Sequence, residues 1–222
     1  MGDDVVVTDA ITRAFHCDAD LAAVIAAKAH YRSYSARTTI IDGATASNTV
    51  YVLVDGHARA IAFSIEGRLV VLHDFGPGDL FGENSLTGTK STNVDVTAID
   101  AVHAGLFTSD TFLALMTNYN AVAIAVSQLL VARLGDTARR LVEGSTLSAT
   151  GRIHAELLRQ AHSGDAMTIR PAPVLSVFAL RAQTTRETAS RAMSALQKRG
   201  IIERDEDCLH VVAPHRLEEL IY

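Results

Sequence analysis

Thr184–Gly200 reads TTRETASRAMSALQKRG. Wound as a helix at about 100° per residue, it sorts into two sides. Ala189, Met193 and Leu196 recur at spacings of four and three and form an apolar back. Arg186, Glu187, Ser190, Arg191 and Ser194 fall opposite them. Such a helix can pack on a domain with one side and offer hydrogen-bonding groups to a major groove with the other. Glu187 and Arg191 also have the i, i+4 spacing of an ordinary exposed ion pair, so the surrounding chain has to decide between the two readings.

Just upstream, Leu175–Ala182 predicts a short helix followed by a turn. Downstream, Gly200-Ile201-Ile202 and Leu209-His210-Val211-Val212 flank an acidic tip, ERDED, and predict a β-hairpin. Helix, turn, helix and wing make a winged helix-turn-helix. Before it, residues 150–163 (TGRIHAELLRQAH and the residue after) predict an amphipathic helix closed by Ser163-Gly164-Asp165.

The 222-residue chain has a net charge of −5, which hides an uneven distribution. Residues 1–150 hold 10 Lys/Arg against 16 Asp/Glu, whereas residues 151–222 hold 10 against 9. The window Ser176–Arg199 has five basic residues and Glu187 as its one acid. Charge close to the duplex governs phosphate attraction, so the C-terminal third is electrostatically suited to nucleic acid. At 48% hydrophobic and 20% charged the chain is globular. The acidic start, MGDDVVVTDA, is unlike a signal peptide, and no uninterrupted apolar run reaches the length of a membrane span, which predicts a cytoplasmic protein without a membrane partner. Cys17 and Cys208, the two cysteines, are far apart, which argues against a disulfide framework, structural zinc or a four-cysteine iron–sulfur cluster.

Residues 10–37 read as helical around the Ala-rich LAAVIAAKA. From Thr38 the texture becomes β: TTII, then Asp42-Gly43; TVYVLV, then Asp55-Gly56; ARAIAFSI, then Glu66-Gly67; RLVVLHDF, then Gly76-Pro77-Gly78-Asp79. Asp-Gly between apolar runs is a strong hairpin signal. Further runs at 93–99 and 102–107 complete an antiparallel sandwich or barrel, and a jelly roll suits the count. Residues 110–117 predict a short helix. A long helix follows, capped by Asn118 or Asn120 and reaching about Val142. In it Val126, Leu130, Leu134, Thr137 and Leu141 form an a/d seam of the coiled-coil kind, which predicts a dimer helix. The fold class is therefore α+β, divided as 1–117, a β jelly roll with flanking helices; 118–148, a long dimerisation helix and hinge; and 149–222, a winged helix-turn-helix.

Over nearly its whole length this order resembles the Crp/Fnr family of bacterial transcription regulators. VYVLVDGHARA and FGPGDLFGENSL resemble the family's hairpin and its PGDxFGExxL segment. The long helix runs into TGRIHAELL as in the family, and TTRETASRAMSALQKRGII is similar to SRETVSRxLxxLxxxGLI. The resemblance implies a homodimer that reads a palindromic operator in double-stranded DNA with TGTGA-like half-sites, acts with RNA polymerase and is not an enzyme. Arg186, Glu187 and Arg191 match base-contacting positions, and Thr185 matches the Ser that opens the recognition helix; Ser190 lies on the same face. Arg can fork to guanine, and Glu can accept from cytosine N4. Two departures stand out. Gln183 replaces the usual turn Gly, so a positive φ there would be strained, and Arg181 is a charge in the first helix that could serve a phosphate.

For the effector, the resemblance implies a site between the jelly roll and the long helix, made by Gly82, Glu83, Lys90, Ser91, Arg133 and Thr137. Gly82-Glu83 matches a ribose-contacting pair. Lys90-Ser91 falls where an Arg-Ser pair holds the cyclic phosphate, and Lys lacks the bidentate fork. Arg133 and Thr137 fall where helix residues face the base, although Ala138 replaces a Ser. A cyclic nucleotide, cAMP first, is one reading of this site. A regulator without an effector, or with a non-nucleotide signal, is the other. Isolated His57, His73 and His103 do not make a haem set. A cupin-like metalloenzyme is the remote alternative, set aside because the nine His are scattered without HxH.

Overall fold

The computed structural model describes residues 2–88 and 93–221, which form two compact units, Met1–Leu134 and Gly135–Tyr222. In the first, helices α1 (Gly2–Phe15) and α2 (Ala19–Ala26) precede strands β1 (His30–Tyr34), β2 (Thr39–Ile41), β3 (Thr49–Asp55), β4 (Ala58–Phe63), β5 (Leu69–Phe75) and β6 (Leu80–Phe81). A 3-10 turn at Glu83–Thr87 leads to β7 (Asp95–Ala98), β8 (Val102–Thr108), α3 (Ser109–Asn118) and α4 (Asn120–Thr146). Two four-stranded antiparallel sheets result, in the orders β1-β8-β3-β6 and β2-β7-β4-β5. This is the predicted double-sheet jelly roll.

β3 shows why its run is apolar on both sides. Tyr51 and Leu53 pack between the sheets, with Phe75, Phe81, Val96 and Ala104. Val50 and Val52 point the other way, into a second core with Ile11 and Phe15 of α1, Ile25 of α2, Phe112 of α3 and Val122 and Val126 of α4. The strand is thus buried on both faces, which favours continuous apolar residues over alternation.

The helical reading of 10–37 is corrected at both ends. α1 begins at Gly2, and Asp18 caps α2 by accepting from the Leu21 N–H at 2.9 Å. Residues 30–34 are a strand, because β8 pairs with them from His30–Leu106 to Tyr34–Val102 and that partner lies some seventy residues away. Three of the four turn signals are also corrected. Only Glu66-Gly67 joins strands that pair, β4 and β5. Asp42-Gly43 leads β2 toward β3 in the other sheet, and Asp55-Gly56 and Gly76–Asp79 likewise pass between sheets. Gly43 is required by contact rather than by a hairpin: a Cβ there would stand 2.3 Å from the backbone nitrogen of Val94.

α4 removes one residue from the seam and leaves Leu130, Leu134, Thr137 and Leu141 exposed. Val126 is buried in its own unit's core. The apolar residues left exposed are Ile124 (56%), Leu130 (44%), Val131 (71%), Leu134 (71%), Leu141 (74%) and Val142 (58%). Ile124–Val131 and Leu134–Leu141 are heptad repeats, so the stripe keeps coiled-coil spacing, with Ile124, Val131 and Val142 widening the predicted seam. α4 also holds an 18-residue window of mean hydropathy 1.3, long and apolar enough by length and composition to cross a membrane. Gln128, Arg133 and Asp136 interrupt the helix, so it contains no long uninterrupted apolar run.

In the second unit, the end of α4 is followed by α5 (Ala149–Ser163), β9 (Thr168–Ile169), α6 (Leu175–Arg181), α7 (Arg186–Lys198), β10 (Ile202–Arg204), β11 (Leu209–Val211) and α8 (Pro214–Glu218). Ser148 caps α5 by accepting from the Gly151 N–H at 3.0 Å. Ile153, Leu157, Phe178, Ala189, Met193, Leu196, Ile201 and Leu209 form one core. β10 and β11 form the predicted wing, and β9 adds a third strand that the short run Thr168-Ile169 did not announce.

Candidate nucleic-acid interface and effector site

α7 divides as its periodicity demands. Ala189, Ala192, Met193 and Leu196 are buried, while Arg186, Glu187, Ser190, Arg191 and Ser194 are exposed. Thr185 is the N-cap: its hydroxyl accepts from the Thr188 N–H at 3.2 Å and meets the Thr188 hydroxyl at 3.0 Å. The opening is thereby fixed without using the Arg186 and Arg191 forks. The Glu187 carboxyl is held below its ordinary value by its own backbone N–H, then by the Thr185 hydroxyl, and then by Arg186 and Arg191. It is therefore an acceptor at neutral pH. Arg186, Glu187, Ser190, Arg191 and Leu175 line one concave surface of about 380 Å³. Two fork-shaped donors, a carboxylate and a hydroxyl on one such face are the groups that discriminate base edges.

Arg181 does not lie on this face. Its Nη1 is 3.6 Å from Glu156 Oε1, and Glu156 is 1% exposed. Arg159 also pairs with Glu156, while its Nη2 reaches both oxygens of Glu143 at 2.6 and 2.7 Å. Arg140 approaches Glu156 to 3.7 Å, and Gln160 donates to it at 2.7 Å. Glu156, so shielded, is the principal residue that sequence reading missed. Only its place on the apolar side of α5 could have signalled it. Gln183 has a φ of 50°, the strained conformation expected of a non-glycine residue at the turn.

In the first unit Gly82 has a φ of 81°, and a Cβ there would stand 2.6 Å from the Thr49 carbonyl oxygen, so glycine is required twice over. Glu83 follows at the start of the 3-10 turn and accepts from Arg133 Nη1 at 2.5 Å; both side chains are about one-fifth exposed. Arg133 Nη2 donates to the Leu80 carbonyl at 2.5 Å, and the guanidinium lies over the Phe75 ring, 5.4 Å from its centre. Two residues picked separately from sequence, fifty positions apart, thus meet. Phe75 packs tilted by 32° against Phe81, and Phe81 stacks on Tyr51, each at 4.9 Å between centres. Burial, then Tyr34, pushes the Tyr51 hydroxyl up to about 12, so this column stays neutral. Thr137 is one turn beyond Arg133 on α4 and exposed. Lys90 and Ser91 lie outside the described residues.

The three histidines have other roles. His57 pairs with Asp100 at 2.8 Å, His73 meets the Phe75 ring, and His103 stacks on Tyr31. Among the described residues no three His, Cys, Asp or Glu side chains converge as a metal-ligand set.

Comparison with known proteins agrees with this layout. Residues 31–119 match the cyclic nucleotide-binding domain, and residues 151–220 match the Crp-like helix-turn-helix domain. The chain is 29% identical over 178 residues to the cyclic AMP receptor protein of Thermus thermophilus, covering 78% of this chain and 79% of that protein. It is 22% identical to the cAMP-activated global transcriptional regulator Vfr of Pseudomonas aeruginosa, over 79% of this chain and 86% of that one. Its fold is similar to a CooA variant of Carboxydothermus hydrogenoformans, with a TM-score of 0.79 at 18% identity over 88% of this chain and 89% of that one. It is also similar to the c-di-GMP responsive regulator CLP of Xanthomonas campestris, with a TM-score of 0.74 at 22% identity over 87% of this chain and 99% of that one. With both domains matched in the same order, the chain belongs to the Crp/Fnr family of DNA-binding transcription regulators and not to an enzyme family.

Proposed function

We propose that the protein is a cytoplasmic homodimer that reads a palindromic operator, with TGTGA-like half-sites, through Arg186, Glu187, Ser190 and Arg191, and acts with RNA polymerase. The observation that carries this is the exposed polar face of α7 over a buried apolar back, with Thr185 capping its start. A duplex carrying two inverted TGTGA half-sites tests it against a random duplex at the same salt concentration. Arg186→Ala should lose about 1–3 kcal/mol on the first and little on the second. Equal losses on both would reduce Arg186 to a phosphate contact.

The control signal in this reading is a cyclic nucleotide, with cAMP favoured. Glu83 and Arg133 would meet the ligand, with Thr137, Lys90 and Ser91 as further contacts. The adjacent carboxylate and guanidinium offer an acceptor for a sugar hydroxyl and a donor for a base or phosphate. The ligand acts only if it binds one arrangement of the two reading heads better than the other. A regulator that needs no nucleotide is the second reading, and it draws on one feature: the Glu83 carboxylate and the Arg133 guanidinium satisfy each other directly, 2.5 Å apart. In the same reading the exposed stripe of α4 is covered by a second copy of the chain and does not meet lipid.

A further inference from the structure

The turn between α6 and α7 holds Gln183 in left-handed backbone, with a φ of 50°. A Cβ disfavours that conformation, and Gln lacks the short side chain that lets Asn or Asp adopt it more readily. Its carbonyl and its neighbour's are taken by one side chain. Arg152 of α5 donates from Nε to the Ala182 carbonyl at 3.1 Å and from Nη2 to the Gln183 carbonyl at 3.0 Å. Its Nη1 donates to the Leu147 carbonyl at 3.0 Å, in the connection between α4 and α5. A planar guanidinium can serve three carbonyls at once; an ammonium lacks that fixed fork.

The surrounding ion pairs leave this task to Arg152. Arg140 and Glu143 of α4, Glu156 and Arg159 of α5, and Arg181 of α6 bind one another and so fasten helix to helix. None of those contacts reaches the turn backbone. The Gln183 side chain extends to α4, where its oxygen is 3.7 Å from the place a Cβ of Gly144 would occupy. A glycine at position 183 would make no such approach.

We propose that Arg152 is a positioning residue for DNA reading. It holds Gln183 in its disfavoured conformation and so sets the direction in which α7 leaves α6. This inference rests on α7 being the reading helix, but its first test does not involve DNA. Hydrogen–deuterium exchange on the full chain is compared for wild type, Arg152→Ala, Gln183→Gly and the double variant. Arg152→Ala should speed exchange of the Gln183 and Thr184 amides, which donate to Leu180 and Ala179, by at least tenfold, with the jelly-roll amides unchanged. Adding Gln183→Gly should bring those rates back to within about threefold of wild type, because glycine adopts positive φ freely. On the inverted TGTGA duplex, Arg152→Ala should weaken binding at least tenfold and the double variant should recover most of it. Arg152→Lys, which keeps the charge without the fork, covers the case in which the alanine variant does not fold, and should speed the same two amides.

Unchanged turn exchange in Arg152→Lys, or a loss that Gln183→Gly fails to rescue, would overturn the proposal. Arg152 would then be a residue of the general fold. If wild type ignores the TGTGA duplex while the exchange pattern appears as described, the operator reading fails and the positioning role stands.

Discussion

The α4 stripe yields the sharpest quantitative expectation. Leu134 is 71% exposed, and full burial of a leucine side chain is worth about 1.5–3 kcal/mol. Covering that exposed fraction gives about 1–2 kcal/mol per copy, and a two-fold axis counts it twice, so Leu134→Ala should cost about 2–4 kcal/mol of association. At 1.4 kcal/mol per decade the dimer dissociation constant rises roughly 30- to 700-fold. Sedimentation velocity over nanomolar to micromolar protein reads this directly, with Leu141→Ala as a companion of similar exposure at 74%. Val126→Ala is the internal control. That side chain is sealed in its own unit, so its loss should lower the unfolding free energy and leave association unchanged. A wild-type monomer at micromolar concentration would refute the reasoning. So would a Val126→Ala variant that dissociates while Leu134→Ala and Leu141→Ala do not, since that would put the association contact on the side of α4 that is buried in its own unit.

Titration calorimetry with cAMP should give heat for wild type and at least a tenfold weaker signal for Glu83→Ala; folded wild type silent at millimolar cAMP excludes the nucleotide reading. The Glu187 carboxyl has a folded value below its unfolded one, so its contribution to stability is present above about pH 4.5 and disappears as pH falls through the lowered value. Denaturant titrations of wild type and Glu187→Gln should therefore differ at pH 7 and converge toward pH 3; a gap unchanged over that range would contradict the assignment. Leu196→Ala, in the buried back of α7, should cost about 2–5 kcal/mol of unfolding free energy for the second unit, read by chemical denaturation.

What could be read from the chain followed the range of the forces involved. The two faces of α7 were legible, save for Ala192 in its buried back, because its cap, its period and its buried face all lie within seventeen residues. The β runs were legible as strands, but their turns misled. Asp42-Gly43 and Asp55-Gly56 have hairpin chemistry, yet β2 pairs with β7, and β3 with β8 and β6. A dipeptide can set a local bend; it cannot choose a partner fifty residues away. Likewise Glu83 and Arg133 were each visible through a resemblance, whereas their mutual ion pair depends on where α4 lies against its own β domain. Arg181 looked like a phosphate contact because the carboxylate that claims it sits on another helix, twenty-five positions earlier.

The strand pairing also has a consequence in time. Thr49 pairs with Thr108 and Tyr31 with Gly105, so apart from the short β3–β6 pairing the first sheet closes loops of roughly sixty to seventy residues to form. The second unit is built from neighbouring helices and a short wing. Loop closure taxes the former far more than the latter, and rates fall as the mean separation of contacts grows. The jelly roll, first off the ribosome, should therefore be the slower half to reach its native state. The lag exposes the unpaired edges of β3 and β8 for longer than any part of the reading head is exposed.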